Sequence, residues 1–175
     1  MTDIKISNRS AEKSGKPDDP AEKKALLEAI ELLFFAYRDF VSEPDAILDK
    51  DGWGRAHHRV VHFVGRHPGI TVAELLGILR ITKQSLARVL RQLIERGLIE
   101  QQTGTRDRRQ RHLHLTADGA DLERRLAVPQ YERVNKALAA AGPEAATVWR
   151  KVLLNLVNEE DRASVEALIS SGDVP

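Results

Sequence analysis

The 175-residue chain contains no cysteine. That excludes disulfides and thiol-based redox sensing and leaves the cytoplasm as the expected compartment. No apolar run approaches the roughly 20 residues of a membrane-crossing helix. The start, Met1-Thr2-Asp3-Ile4-Lys5, lacks the apolar stretch of a secretion signal. No membrane partner is therefore expected. The chain also lacks a nucleophile–base spacing, a phosphate-binding loop and a complete metal motif, so neither an enzyme nor a cofactor is expected. Net charge is almost absent as well, at +1.

The small net charge conceals a strong segregation. Between Arg55 and Arg111 lie twelve Lys or Arg and only four Asp or Glu, a net of +8, so the rest of the chain carries −7. A basic middle on an acidic scaffold is the electrostatic footprint of a nucleic-acid module. Within it, Thr82 to Arg96 has helical periodicity. Leu86, Val89, Leu90 and Leu93 fall on one side, and Gln84, Arg88, Arg91 and Glu95 on the other. Thr82 is suited to cap the start and Gly97 to take the left-handed stop. The polar face is rich in amide and guanidinium groups, which read adenine and guanine edges in a major groove. A short strand, Leu98 to Gln102, follows. Then come the loop Thr103 to Arg109 and the alternating strand Arg111-His112-Leu113-His114-Leu115. A groove-fitting helix followed by an arginine-tipped hairpin reads as a winged helix-turn-helix that binds double-stranded DNA.

Around this unit, residues 1–20 are polar and aperiodic and read as a disordered tail. Residues 21–51 read as a dimerisation helix and a loop. Leu26, Ile30, Leu33, Tyr37 and Phe40 form one stripe and Leu27, Phe34 and Val41 a second, too much apolar girth for a single packing partner. The helix is predicted to end at Val41, with Ser42 to Asp51 a loop containing Pro44. Residues 52–116 form the winged unit. Its first helix is expected over Trp53 to His67, and Ile70 is expected to pair with the wing. Thr71-Val72-Ala73-Glu74 has the form of a capping box for a short helix. Residues 117–172 read as C-terminal dimerisation helices. The first runs from Ala117 to Ala141 with a kink at Pro129, and the next begins with Pro143 at its first helical position. A third opens at Asn158 to Asp161. The expected fold class is mainly α with a small β wing.

Thr71 to Gly119 resembles the core of MarR-type transcriptional regulators without gaps. The resemblance is carried by Thr82-Lys83-Gln84-Ser85-Leu86, Arg88 to Leu93, Arg96-Gly97-Leu98-Ile99-Glu100, Asp107-Arg108-Arg109 and Leu115-Thr116-Ala117-Asp118-Gly119. Gly52-Trp53-Gly54-Arg55-Ala56-His57-His58 is more loosely similar to the PetP-type subgroup of that family. The likeness implies a homodimer whose recognition helices enter successive major grooves of a pseudo-palindrome, with centres roughly 34 Å apart. It also implies Arg109 in the minor groove, with Asp107 bracing the wing through a neighbouring arginine. Arg80 stands where the family usually carries Gly, Gln101 replaces a common arginine, and Arg91 replaces a frequent acidic residue.

The expected base-reading residues are Gln84, Ser85 and Arg88, with Arg91 on the same face. Thr71, Thr82 and Lys83 are expected at phosphates, and Arg106, Arg108 and Arg111 near the backbone. The resemblance further implies a small, often aromatic acid as effector, for which Tyr37, Arg38, Trp53 and His57 are the candidate lining. His58 and His62 have the spacing of a helical metal pair but no third ligand beside them in sequence. The alternative function is a winged-helix module for protein docking, with the basic face incidental.

Overall fold

The computed structural model describes residues 19–104 and 110–172. The chain divides into two compact units, residues 1–38 and 39–175. Helix α1, Pro20–Leu48, runs through both. In the first unit the described residues are helical from Pro20 onward, and the apolar side chains lie open. Leu26, Leu27, Ile30, Leu33, Phe34 and Tyr37 are each about half exposed or more, and the Arg38 guanidinium lies over the Phe35 ring.

The second unit contains the end of α1 and a 3-10 turn, Asp49–Asp51, followed by α2 (Arg55–Arg66), β1 (Ile70–Thr71), α3 (Val72–Leu79) and α4 (Lys83–Glu95). β2 (Ile99–Thr103), β3 (Arg111–Leu115), α5 (Ala117–Ala141), α6 (Ala145–Leu156) and α7 (Glu159–Ser171) complete it. The sheet is antiparallel in the order β1-β3-β2, with Ile70 opposite Leu113, Ile99 opposite Leu115 and Thr103 opposite Arg111. Val60, Val61 and Val64 of α2, Leu75 and Leu79 of α3, Leu86, Val89 and Leu93 of α4, Ile99, Leu113 and Leu126 close one core. Each helix contributes its apolar stripe, which is why the amphipathic periodicity survives folding.

Three boundaries differ from the sequence expectation by two residues or more. First, α1 does not stop at Val41 but continues through Pro44 to Leu48. Proline at 44 cannot donate to the carbonyl of Phe40, and the Gln130 side-chain amide donates to that carbonyl instead, at 3.4 Å. Pro44 itself is fully buried. Second, α2 begins at Arg55 rather than Trp53. Gly54 is its extended N-cap, and Trp53 is buried ahead of the helix. Third, Pro143 and Glu144 form a turn, closed by Ala145 N–H donating to the Gly142 carbonyl, and α6 starts only at Ala145.

The junction between wing and α5 explains the Leu-Thr-x-x-Gly pattern. The Thr116 hydroxyl accepts from Gly119 N–H at 3.1 Å and donates to the Gly97 carbonyl at 2.6 Å. Thr116 N–H donates to the Leu98 carbonyl at 3.1 Å. Gly119 lies so close to that carbonyl that a β-carbon there would stand 2.0 Å from the oxygen. Only glycine fits.

Candidate nucleic-acid interface

Two capped helices present the interface. At α3 the Thr71 hydroxyl accepts from Glu74 N–H, while the Glu74 carboxylate accepts from both Thr71 N–H and the Thr71 hydroxyl at 2.7 Å. The hydroxyl bond, the larger contribution, and the backbone bond hold the Glu74 carboxyl below the ordinary glutamate range. At α4 the Thr82 hydroxyl accepts from Ser85 N–H at 3.1 Å and donates to Ser85 Oγ at 2.8 Å. Both expected side chains therefore help fix the helix start. Between the helices Arg80 takes a left-handed conformation, φ 48°, the one positive φ outside glycine among the described residues. The glycine expected there is absent, but the turn keeps a glycine-like conformation. The Arg80 guanidinium donates to Asp161 in the first turn of α7.

Lys83, Gln84, Arg88, Arg91 and Glu95 are all exposed on one side of α4, while Leu86, Val89, Leu90 and Leu93 are buried on the other. Among the described residues, Lys83, Arg88 and Arg91 have no acidic partner within ion-pairing distance. Arg55, Arg80, Arg96, Arg124, Arg133 and Arg150 each have one. The exposed face of α4 thus carries three cations without an acidic partner among the described residues, which a polyanion would neutralise. Arg111 starts β3 and donates to the Thr103 hydroxyl across the hairpin. The expected contacts Arg106, Asp107, Arg108 and Arg109 lie outside the described residues.

The α4 helix is tied to its lobe by a contact that periodicity did not reveal. His57 is buried, stacks on Trp53, and places Nε2 2.9 Å from the Gln92 side-chain oxygen, while Nδ1 accepts from Gly54 N–H at 3.2 Å. The pattern requires the proton on Nε2. Arg96 caps the stack, 5.6 Å above the Trp53 ring, and pairs with Asp51. Two of the four expected effector residues, Trp53 and His57, are therefore engaged with each other and with α4. Tyr37 and Arg38 lie in the other unit. No sequence signal pairs positions 57 and 92.

His58 and His62 share a side of α2, as their spacing required. Among the described residues, no group of three or more His, Asp or Glu is placed to hold a metal ion. Burial, followed by the neighbouring His62, pushes the His58 pKa down, against an opposing pull from Asp45 and Glu123. His62 Nδ1 lies 3.6 Å from Oε1 of the buried Glu123.

Comparisons agree with this geometry. Residues 52–110 match a family model described as the MarR family. The HTH-type transcriptional regulator PetP of Rhodobacter capsulatus is 50% identical over 143 residues, 82% of this chain and 86% of that protein. Streptococcus pneumoniae FabT, solved in complex with DNA, superposes with a TM-score of 0.58 at 23% identity, covering 79% of this chain and 94% of its own. A Staphylococcus aureus MarR, solved in complex with salicylate and kanamycin, gives 0.61 at 21% identity, with coverage of 79% and 97%.

Proposed function

We propose, from the premise that this chain belongs to the MarR family of transcriptional regulators, that it reads a two-fold symmetric operator as a homodimer, with α4 of each protomer in a major groove. The chain is a DNA-binding transcriptional regulator, and its residues divide the work of recognition. Gln84 and Arg88 present an amide and a guanidinium to base edges, with Ser85 and Arg91 flanking them. Lys83 and the free N–H groups at the starts of α3 and α4, next to Thr71 and Thr82, hold phosphates. Arg109 enters the minor groove and Asp107 braces the wing through a neighbouring arginine, while Arg106, Arg108 and Arg111 track the backbone.

The observation that carries this reading is the exposed α4 face, whose Lys83, Arg88 and Arg91 have no acidic partner among the described residues. The dimer reading is supported by apolar side chains left open on helices: Leu26 to Tyr37 on α1, and Val148, Trp149, Val152 and Leu156 on α6. Burying them between copies removes apolar surface at about 25 cal/mol per Å². The relatives' bound salicylate supports a regulator that answers to a small molecule. Such a molecule acts only if it favours one spacing of the two α4 helices. No helix among the described residues is long and apolar enough to cross a membrane. A cytoplasmic location accords with binding DNA.

The test is selection of bound sequences from random duplexes at physiological salt. A two-fold symmetric motif is expected, lost on replacing Arg88 and Arg109 together by Ala. An absent motif, or undiminished binding by the double variant, would favour the docking alternative.

A further inference from the structure

A cavity of about 320 Å³ opens where the end of α2, the base of β3 and the first turns of α5 meet. That is the lower end of the roughly 300–1,000 Å³ typical of small-molecule sites. Its walls are mainly apolar, from Val64, Pro68, Leu115 and Tyr131, and one wall is Glu123. Glu123 is only 3% exposed, and its Oε1 is buried without a hydrogen-bond partner. The nearest cationic candidate, His62 Nδ1, stands 3.6 Å away, beyond the reach of a good hydrogen bond. Two basic side chains stand on the wall itself: Arg124, already paired with Asp121, and the half-buried imidazole of His114.

A buried carboxylate oxygen that accepts no hydrogen bond is costly unless a positive charge or a strong donor reaches it. An anionic ligand would add like charge at that wall. A metal ion would find a single carboxylate among apolar walls, and no metal-holding group exists among the described residues. A cation with an apolar body satisfies both features: its charge meets Glu123 and its body meets the walls, with the Tyr131 ring offering a π face.

We propose that this cavity binds a small organic cation, an amine or amidine carried on an apolar body, with Glu123 as its counter-ion. Bound there, the ligand touches β3, α2 and α5 at once and so fixes the angle at which the winged sheet meets α5. This consequence for regulation rests on the small-molecule response proposed above; the binding itself does not.

The experiment uses three probes of one shape: benzamidine, benzamide and benzoate, carrying positive, zero and negative charge. Calorimetric titration of the full chain is expected to show benzamidine binding at least tenfold more tightly than benzamide, with benzoate weakest. Glu123→Gln should bring benzamidine within about threefold of benzamide. Ala120→Leu, on the exposed start of α5 at the cavity wall, should block all three whether or not the Gln variant folds. Equal or better binding of benzoate, or a benzamidine preference that survives Glu123→Gln, would overturn the proposal, as would benzamidine binding unchanged by Ala120→Leu. Operator binding is measured on the same samples. Lost charge discrimination with intact operator binding sinks the cation site alone, and the converse sinks the DNA reading alone.

Discussion

Replacing Gly119 by Ala sets two well-characterised effects against each other. In a helix interior Ala is favoured over Gly by roughly 0.5–1 kcal/mol, so propensity alone predicts stabilisation. The structure predicts the opposite. The new β-carbon would stand 2.0 Å from the Leu98 carbonyl oxygen and 3.0 Å from its carbon, whereas even a close C···O contact needs about 3.3 Å. The start of α5 and the end of the α4 turn must then separate by more than an ångström. That motion breaks the bonds from Thr116 N–H to Leu98 and from the Thr116 hydroxyl to Gly97, each worth about 0.5–1.5 kcal/mol. Repacking adds about 1–3 kcal/mol. The net expectation is destabilisation by about 1–5 kcal/mol. Gly77→Ala is the matched control, because Gly77 is an exposed helical glycine of α3 with nothing within 4 Å of a built β-carbon. It should gain about 0.5–1 kcal/mol. Urea unfolding at one fixed protomer concentration reads both. A Gly119→Ala midpoint at or above that of the native chain would refute the close-approach argument.

Further outcomes follow from the same contacts. Gln130→Ala should cost up to about 1 kcal/mol and much less in a Pro44→Ala background, where residue 44 regains its own N–H for the Phe40 carbonyl; a double-mutant cycle in urea measures the difference. Because Thr71 holds the folded-state carboxyl of Glu74 below its unfolded value, that contribution is complete above the unfolded-state range and is lost as pH falls through the folded value. Glu74→Gln should therefore flatten the acid limb of a stability-against-pH curve, and an unchanged limb would count against the capping box. Arg88→Ala should cost about 1–3 kcal/mol on the preferred operator and relax one base position, whereas Lys83→Ala should weaken all sequences alike and lower the salt slope by about one; fluorescence anisotropy against salt separates them. Val152→Lys, on the open face of α6, should weaken self-association at least tenfold in sedimentation, since it places an unpaired charge in a covered apolar patch.

What the sequence discloses here is local. Thr71 with Glu74, Thr82 with Ser85, Gly97 and Thr116 with Gly119 are each separated by a few residues, and their spacing alone places the starts of α3, α4 and α5. The alternation of Arg111 to Leu115 gives β3, and the i, i+4, i+7 spacing gives the exposed face of α4. The contacts that escape such reading join distant positions. Pro44 looks like a helix stop because the donor that compensates for it sits at residue 130. Arg80 looks like a strained substitute for glycine, and its partner Asp161 is 81 positions away. The contact between His57 and Gln92 spans 35 positions, and nothing near either residue announces it. Glu123 reads as one more acidic helix residue until α2 and β3 close over it.

The hydrogen bonds through the His57 ring, from Gly54 on one nitrogen to Gln92 on the other, remove a freedom that many schemes of induction assume. If α4 reads the operator as proposed, rolling it within its lobe costs the His57–Gln92 bond, about 0.5–1.5 kcal/mol, together with the burial of Leu86, Val89, Leu90 and Leu93. In the proposed dimer, tolerance for operators whose halves are differently spaced is then expected from movement of whole lobes rather than of α4 alone.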